Sequence, residues 1–162
     1  MVMVKCNIEE VKKVNIYFIC TGNTCRSPMA EAILKNRNLE NVEVRSAGIY
    51  AHEGSAMSVN AKMVLDQKNI KHDHISSTFT EEDAKWADLI LTMTAAHKEI
   101  VLQIIDEGQD KVFTLNEYAL CNKNKDVQDP YGGNLTVYEQ TFEELNEAID
   151  ELEKKLKMED MD

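Results

Sequence analysis

Cys20-Thr21-Gly22-Asn23-Thr24-Cys25-Arg26-Ser27-Pro28 places a cysteine and an arginine five residues apart, with Ser-Pro directly after. Val14 to Ile19 before it reads as a buried strand, and Met29 to Lys35 after it as a helix. Ser27 is expected as the N-cap and Pro28 at the first helical position. A loop that closes onto a helix N-terminus turns successive backbone N–H groups toward one point, a nest for an anion. The helix macrodipole adds positive potential. Phosphate fits such a nest, and Arg26 supplies a two-pronged clamp that lysine does not. Cys20 lies in the same field, which favours thiolate and is expected to lower its pKa below the free value of ~8.5. A thiolate under a bound phosphoryl group is a nucleophile, so the pattern points to covalent catalysis through phosphocysteine. The loop amides and Arg26 would hold the equatorial oxygens. Ser27, donating to the sulfur, would make it a better leaving group. The run is not a nucleotide-binding P-loop, since it lacks the second glycine and the Lys-Ser/Thr pair.

Transfer to Cys20 expels a leaving group that needs a proton. Asp129, in Asp129-Pro130-Tyr131-Gly132-Gly133, is the candidate general acid. The Pro-Gly-Gly content marks a loop, where catalytic groups gather, and Pro130 confines the Asp129 backbone to extended geometry.

The elements that must position these groups alternate. Asn41 to Ser46 reads as a second strand, ended by Ala47-Gly48. Ala56 to Asn69 fits a helix with Met57, Ala61, Val64 and Leu65 inward. Thr80 caps a helix with acids in its first turn. Asp88 to Thr92 is a third strand. Thr94 opens a helix with Ala96, Ile100, Val101 and Ile104 inward and Gly108 as its stop. Lys111 to Leu115 is a short fourth strand, and Cys121 to Gln128 reads as irregular. Leu135 to about Met158 is an amphipathic helix, with Phe142, Leu145, Ile149, Leu152 and Leu156 on one stripe. Strands alternating with helices give an α/β fold with a parallel sheet, in which ligands bind beyond the carboxyl ends of the strands. Residues 1–13 carry no pattern and read as an N-terminal extension to a single domain spanning 14–162.

Composition narrows the partners. The chain has 162 residues, 43% of them hydrophobic and 29% charged, which suits one globular domain. A net charge of -11 argues against nucleic acid and anionic membranes. No apolar run reaches transmembrane length and no signal-peptide core opens the chain, so a cytoplasmic protein is expected. Cys6, Cys20, Cys25 and Cys121 lack zinc spacing. Cys20 and Cys25 share one loop. Either they form a transient disulfide that guards the nucleophile, or Cys25 packs behind the loop. His72 and His74, two residues apart, are weak as a metal pair.

From Val14 to the last helix the chain resembles the low-molecular-weight protein tyrosine phosphatase family. Cys20 to Pro28 matches its Cys-x5-Arg-Ser-Pro signature, and Asp129-Pro130-Tyr131 its acid loop. The resemblance implies a four-stranded parallel sheet with helices on both faces. It implies Cys20 as nucleophile, Arg26 as phosphate clamp and Asp129 as acid, then base. Thr21, Gly22, Asn23, Thr24, Cys25, Ser27 and Tyr131 would surround the substrate. Asn23 would hold the loop through Ser27, Ser46 and His74. No metal or cofactor is implied; the partners are phosphorylated proteins, and phosphate is the product.

Thr24 stands where tyrosine-specific members usually carry an aliphatic residue. The run Cys-Thr-Gly-Asn-Thr-Cys-Arg-Ser-Pro-Met-Ala-Glu resembles the protein arginine phosphatase branch. A hydroxyl there suits a polar leaving group better than a flat phenol. Asp129 would pair with a guanidinium and protonate its departing nitrogen, with Tyr131 against the guanidinium plane. Phosphoarginine in proteins is therefore the expected substrate, with phosphotyrosine as the alternative. An arsenate reductase would need further resolving cysteines, and 76–100 holds none. A mere phosphate-binding module would need neither Cys20 nor Asp129.

Overall fold

The computed structural model describes residues 12–122 and 125–159. The expected extension at 1–13 lies almost wholly outside them, as do Cys6 and part of the stretch from Cys121 to Gln128.

Four parallel strands, β1 (Val14–Cys20), β2 (Val42–Gly48), β3 (Leu89–Thr92) and β4 (Val112–Thr114), lie in the order β2-β1-β3-β4. The strands are short and mostly apolar because both faces of the sheet are covered. Alternation along β1 divides its side chains. Ile16, Phe18 and Cys20 enter one core, and Tyr17 and Ile19 the other.

The first core is roofed by α1 (Arg26–Lys35), α2 (Val59–Gln67), α5 (Leu115–Leu120) and α6 (Leu135–Glu159). The second is closed by α3 (Glu81–Trp86) and α4 (Ala95–Ile104). The expected stripe of α6 is buried from Phe142 to Leu156. Each such large apolar side chain contributes roughly 1.5–3 kcal/mol on burial.

The chain winds from β1 to β2 on one side, then crosses to β3 on the other. The carboxyl end of β1 therefore sits where the winding reverses, the place where α/β sheets open a crevice.

Three expectations are corrected. Helix α1 begins at Arg26, with Cys25 at its N-cap, so Ser27 is not the cap and Pro28 stands third in the helix. Ser27 turns inward instead. On α4 the buried residues are His97 and Val101, continued by Ile105 just beyond its end, whereas Ala96 and Ile104 face solvent. Gly108 does not stop α4. It takes a left-handed φ of 87° and starts a short 3-10 turn, Gln109–Lys111. Helix α5 was not anticipated. Thr114 and Glu117 close it with reciprocal side-chain-to-backbone hydrogen bonds.

Candidate active site

Cys20 ends β1, residues 21–25 form the loop, and Arg26 opens α1. The loop lines a cleft of about 260 Å³ together with Asp129 and Tyr131. The cleft walls are Cys20, Thr21, Gly22, Asn23, Thr24, Cys25 and Arg26 on one side and the 129–131 loop on the other. Every expected site residue except Ser27, Ser46 and His74 lines it, and those three stand behind it.

The loop's shape depends on Asn23. Its backbone is left-handed, with φ 57°, a conformation asparagine tolerates better than most side chains. Its Nδ2 donates to Ser27 Oγ at 2.8 Å and to Ser46 Oγ at 2.9 Å. Its Oδ1 accepts from the Ser77 N–H at 2.8 Å. Its carbonyl accepts from His74 Nε2, also at 2.8 Å. Ser46 in turn donates to Glu31 Oε1 at 2.6 Å, and His74 Nδ1 lies 3.4 Å from the same oxygen. Burial works to raise the Glu31 carboxyl, but hydrogen bonds from His74, Lys35 and Ser46 outweigh it and hold it below the usual range. Strand β2 contributes closeness as well as Ser46. A Cβ on Gly48 would lie 2.5 Å from the Thr21 carbonyl and 2.9 Å from the Asn23 nitrogen, so only glycine lets the loop rest there.

Cys20 is 3% exposed. Ser27 Oγ lies 2.8 Å from it, and the Asn23 N–H donates to it at 3.2 Å. Since Ser27 accepts from Asn23, its own hydrogen is available to the sulfur. Burial pushes the Cys20 thiol up from its ordinary value, while Ser27, Arg26 and the Asn23 N–H pull it down. Withdrawal from water is the larger effect, so the expected fall in pKa is not what the protein contacts alone produce.

Cys25 Sγ faces the other way. It lies 3.3 Å from Tyr138 Oη, 3.6 Å from Ser58 Oγ and 3.7 Å from Thr24 Oγ1. Both Cys20 and Cys25 are free thiols. His72 and His74 do not converge: His72 pairs with Asp66 at 2.8 Å, and His74 serves the loop.

Arg26 is held in place before any ligand arrives. Its Nη1 donates to the Val127 carbonyl at 3.1 Å, and its Nη2 to Thr21 Oγ1 at 3.4 Å. Its Nη2 lies 3.6 Å from Asp129 Oδ2. Asp129 stands at the cleft mouth with its side chain about half exposed, and its Oδ1 accepts from the Tyr131 N–H at 3.0 Å. The acid loop is anchored by Val127, whose N–H donates to the Met93 carbonyl at the end of β3. Asp126 Oδ1 accepts from the Ala95 N–H at the start of α4. Tyr131 is 81% exposed at the rim of the cleft.

Glu31, the Val127 carbonyl and His97 are missing from the sequence reading. His97 was legible in principle: it shares the buried register of α4 with Val101 and Ile105, a polar residue on an apolar face.

The geometry can seat a tetrahedral anion over a sulfur, grip it with a guanidinium, and offer a carboxyl at the mouth. A model of the low molecular weight phosphotyrosine protein phosphatase family matches residues 15–161. A protein-arginine-phosphatase of Geobacillus stearothermophilus is 47% identical over 144 residues, covering 89% of this chain and 97% of the relative. The solved structure of the YwlE arginine phosphatase from Geobacillus stearothermophilus superposes with a TM-score of 0.89 at 46% identity, covering 91% of this chain and 96% of that one. A YwlE arginine phosphatase mutant with a phosphorylated active-site serine in place of cysteine superposes at 0.85, also at 46% identity, covering 89% and 96%. The chain belongs to the low molecular weight phosphotyrosine protein phosphatase family.

Proposed function

We propose that this protein removes phosphoryl groups from arginine residues of phosphorylated proteins through a phosphocysteine on Cys20. The observation that carries the reading is the placement of Asp129 Oδ2 3.6 Å from Arg26 Nη2, in the cleft that Cys20 also lines. The phosphoryl group enters over the sulfur, with its oxygens on the loop amides and on Arg26. The Cys20 thiolate attacks phosphorus. The phosphorus–nitrogen bond breaks, and its electron pair stays with the guanidine nitrogen, which takes the Asp129 proton. Water then attacks the phosphocysteine, Asp129 accepts the water's proton, and the sulfur leaves. Inorganic phosphate departs with both original charges redistributed over its oxygens. Ser27 stabilises the departing sulfur by donating to it, and Ser46 and His74 hold Asn23 and with it the loop. The domain carrying this chemistry is 14–162. A cytoplasmic place of action suits a nucleophile that must stay reduced.

The substrate preference rests on Thr24 and on the arginine phosphatases among the relatives. Thr24, a residue with a hydroxyl, lines the cleft, and Asp129, once it has given up its proton, offers a carboxylate partner for the departing guanidinium. Tyr131 is free to lie against that group. Phosphotyrosine is the second reading, favoured by the family's general activity. Parallel turnover of phosphoarginine and phosphotyrosine peptides decides between them. Cys20→Ser should abolish turnover while phosphate binding, followed by calorimetry, persists. Full turnover by that variant would end the phosphocysteine mechanism.

A further inference from the structure

His97 touches the cleft's walls yet has no part in the steps above. It is 7% exposed and sits in the first turn of α4, behind the loop. Its Nε2 lies 2.7 Å from Thr21 Oγ1. The same hydroxyl oxygen receives Arg26 Nη2 at 3.4 Å. A guanidinium has only hydrogens to give, so Thr21 accepts there. His97 Nδ1 is buried and finds no hydrogen-bond partner among the described residues. A stranded N–H is rarer and costlier than a stranded lone pair. The ring proton therefore belongs on Nε2, and Nε2–H donates to Thr21. Both lone pairs of the Thr21 hydroxyl are then occupied. Its hydrogen is left to point elsewhere, and Thr21 lines the cleft.

We propose that His97 is a positioning residue that turns the Thr21 hydroxyl hydrogen into the cleft, where it donates to a phosphoryl oxygen during transfer. The inference rests on the phosphocysteine reading, and it adds a side-chain donor to the loop amides and Arg26. A neutral imidazole is what the arrangement requires. Burial and the Arg26 guanidinium push His97 down to about 4, against the opposing pull of Asp126 and Asp129. The ring thus carries one hydrogen throughout the ordinary pH range, and that hydrogen is committed to Thr21.

The test uses p-nitrophenyl phosphate, so that the chemistry is read apart from the choice of amino acid. Thr21→Val should lower kcat about tenfold with little change in KM, the effect of one lost hydrogen bond to a charged group. Thr21→Ser, which keeps the hydroxyl, should recover most of the kcat that Thr21→Val loses. His97→Leu should match Thr21→Val, and the double variant should fall no further than Thr21→Val alone. His97→Gln, which puts an amide N–H close to the place of Nε2, should recover most of the loss.

Losses that multiply in the double variant would overturn the proposal. So would Gln and Leu variants of equal kcat and unchanged Tm. If His97→Leu fails to fold, the two Thr21 variants decide alone: Thr21→Val at parental kcat sinks the idea. Cys20→Ser run alongside separates the levels. Turnover that survives its loss overturns the mechanism itself. Turnover lost there but unchanged in Thr21→Val overturns only the role of Thr21 and His97.

Discussion

Ser27 shows how much a single side chain does once its direction is known. Its hydroxyl accepts from Asn23 and so presents its hydrogen to the Cys20 sulfur at 2.8 Å. That hydrogen bond lowers the thiol pKa against the upward push of burial. Removing it in Ser27→Ala raises the pKa. The thiolate is then lost at a higher pH as the solution is acidified, and the acid limb of Cys20 alkylation by iodoacetamide should move upward. An unmoved limb would mean that Arg26 and the loop amides set the ionisation without Ser27. Thr24 carries the other residue-scale prediction. Thr24→Ile replaces a hydroxyl-bearing residue of the cleft lining with an aliphatic one. Activity on phosphoarginine peptides should fall and that on phosphotyrosine peptides should rise, a shift of about tenfold or more in their kcat/KM ratio. Equal changes in both would show that Thr24 is not the selector.

At the scale of elements, what the sequence disclosed followed from local pattern. The apolar run Val14–Ile19 and the stripe of α6 are local patterns; the strand extends one residue further, to Cys20, and the stripe lies where the pattern placed it. The cysteine–arginine spacing and Asp129-Pro130 are short-range signals, and the fold brings them to one cleft. What was missed is non-local or small. Helix α5 has six residues, too few for a periodicity, though Thr114-x-x-Glu117 is the capping signature that would have revealed it. The inward turn of Ser27 depends on Asn23 adopting a left-handed backbone, which spacing does not encode. His97 lies on the buried face of α4 with Val101, a register that apolar residues alone do not reveal. The seat of the loop on β2 is of the same kind, since Gly48 pairs beside Cys20 and leaves no room for a side chain. Gly48→Ala should therefore displace Thr21 and Asn23 and do more harm to the site than to the fold. Phosphate, as a competitive product inhibitor, should bind at least tenfold more weakly, a cost of about 1.4 kcal/mol. Thermal unfolding should shift only by a few degrees. A variant with parental phosphate inhibition would show that the loop tolerates the added methyl.

Over the whole molecule, a net charge of -11 surrounds a cleft built to attract an anion. The positive potential of the cleft comes from Arg26 and the start of α1, and both act at short range. Beyond about 10 Å, the screening length at ~0.1 M salt, an approaching phosphoprotein meets the acidic body first. Acidic flanks on a substrate should therefore slow encounter, and basic flanks should speed it. A phosphoarginine peptide with basic neighbours should exceed one with acidic neighbours in kcat/KM at low salt. The gap should narrow as potassium chloride is raised, because screening weakens the body's field more than contacts inside the cleft. The difference should lie in KM and in the association rate, while kcat stays common to both peptides, since the field acts before the phosphoryl group is seated. Measuring both peptides across a salt series checks this. A preference that persists undiminished at high salt would mean that direct contacts at the rim, rather than the charge of the whole protein, read the flanking sequence.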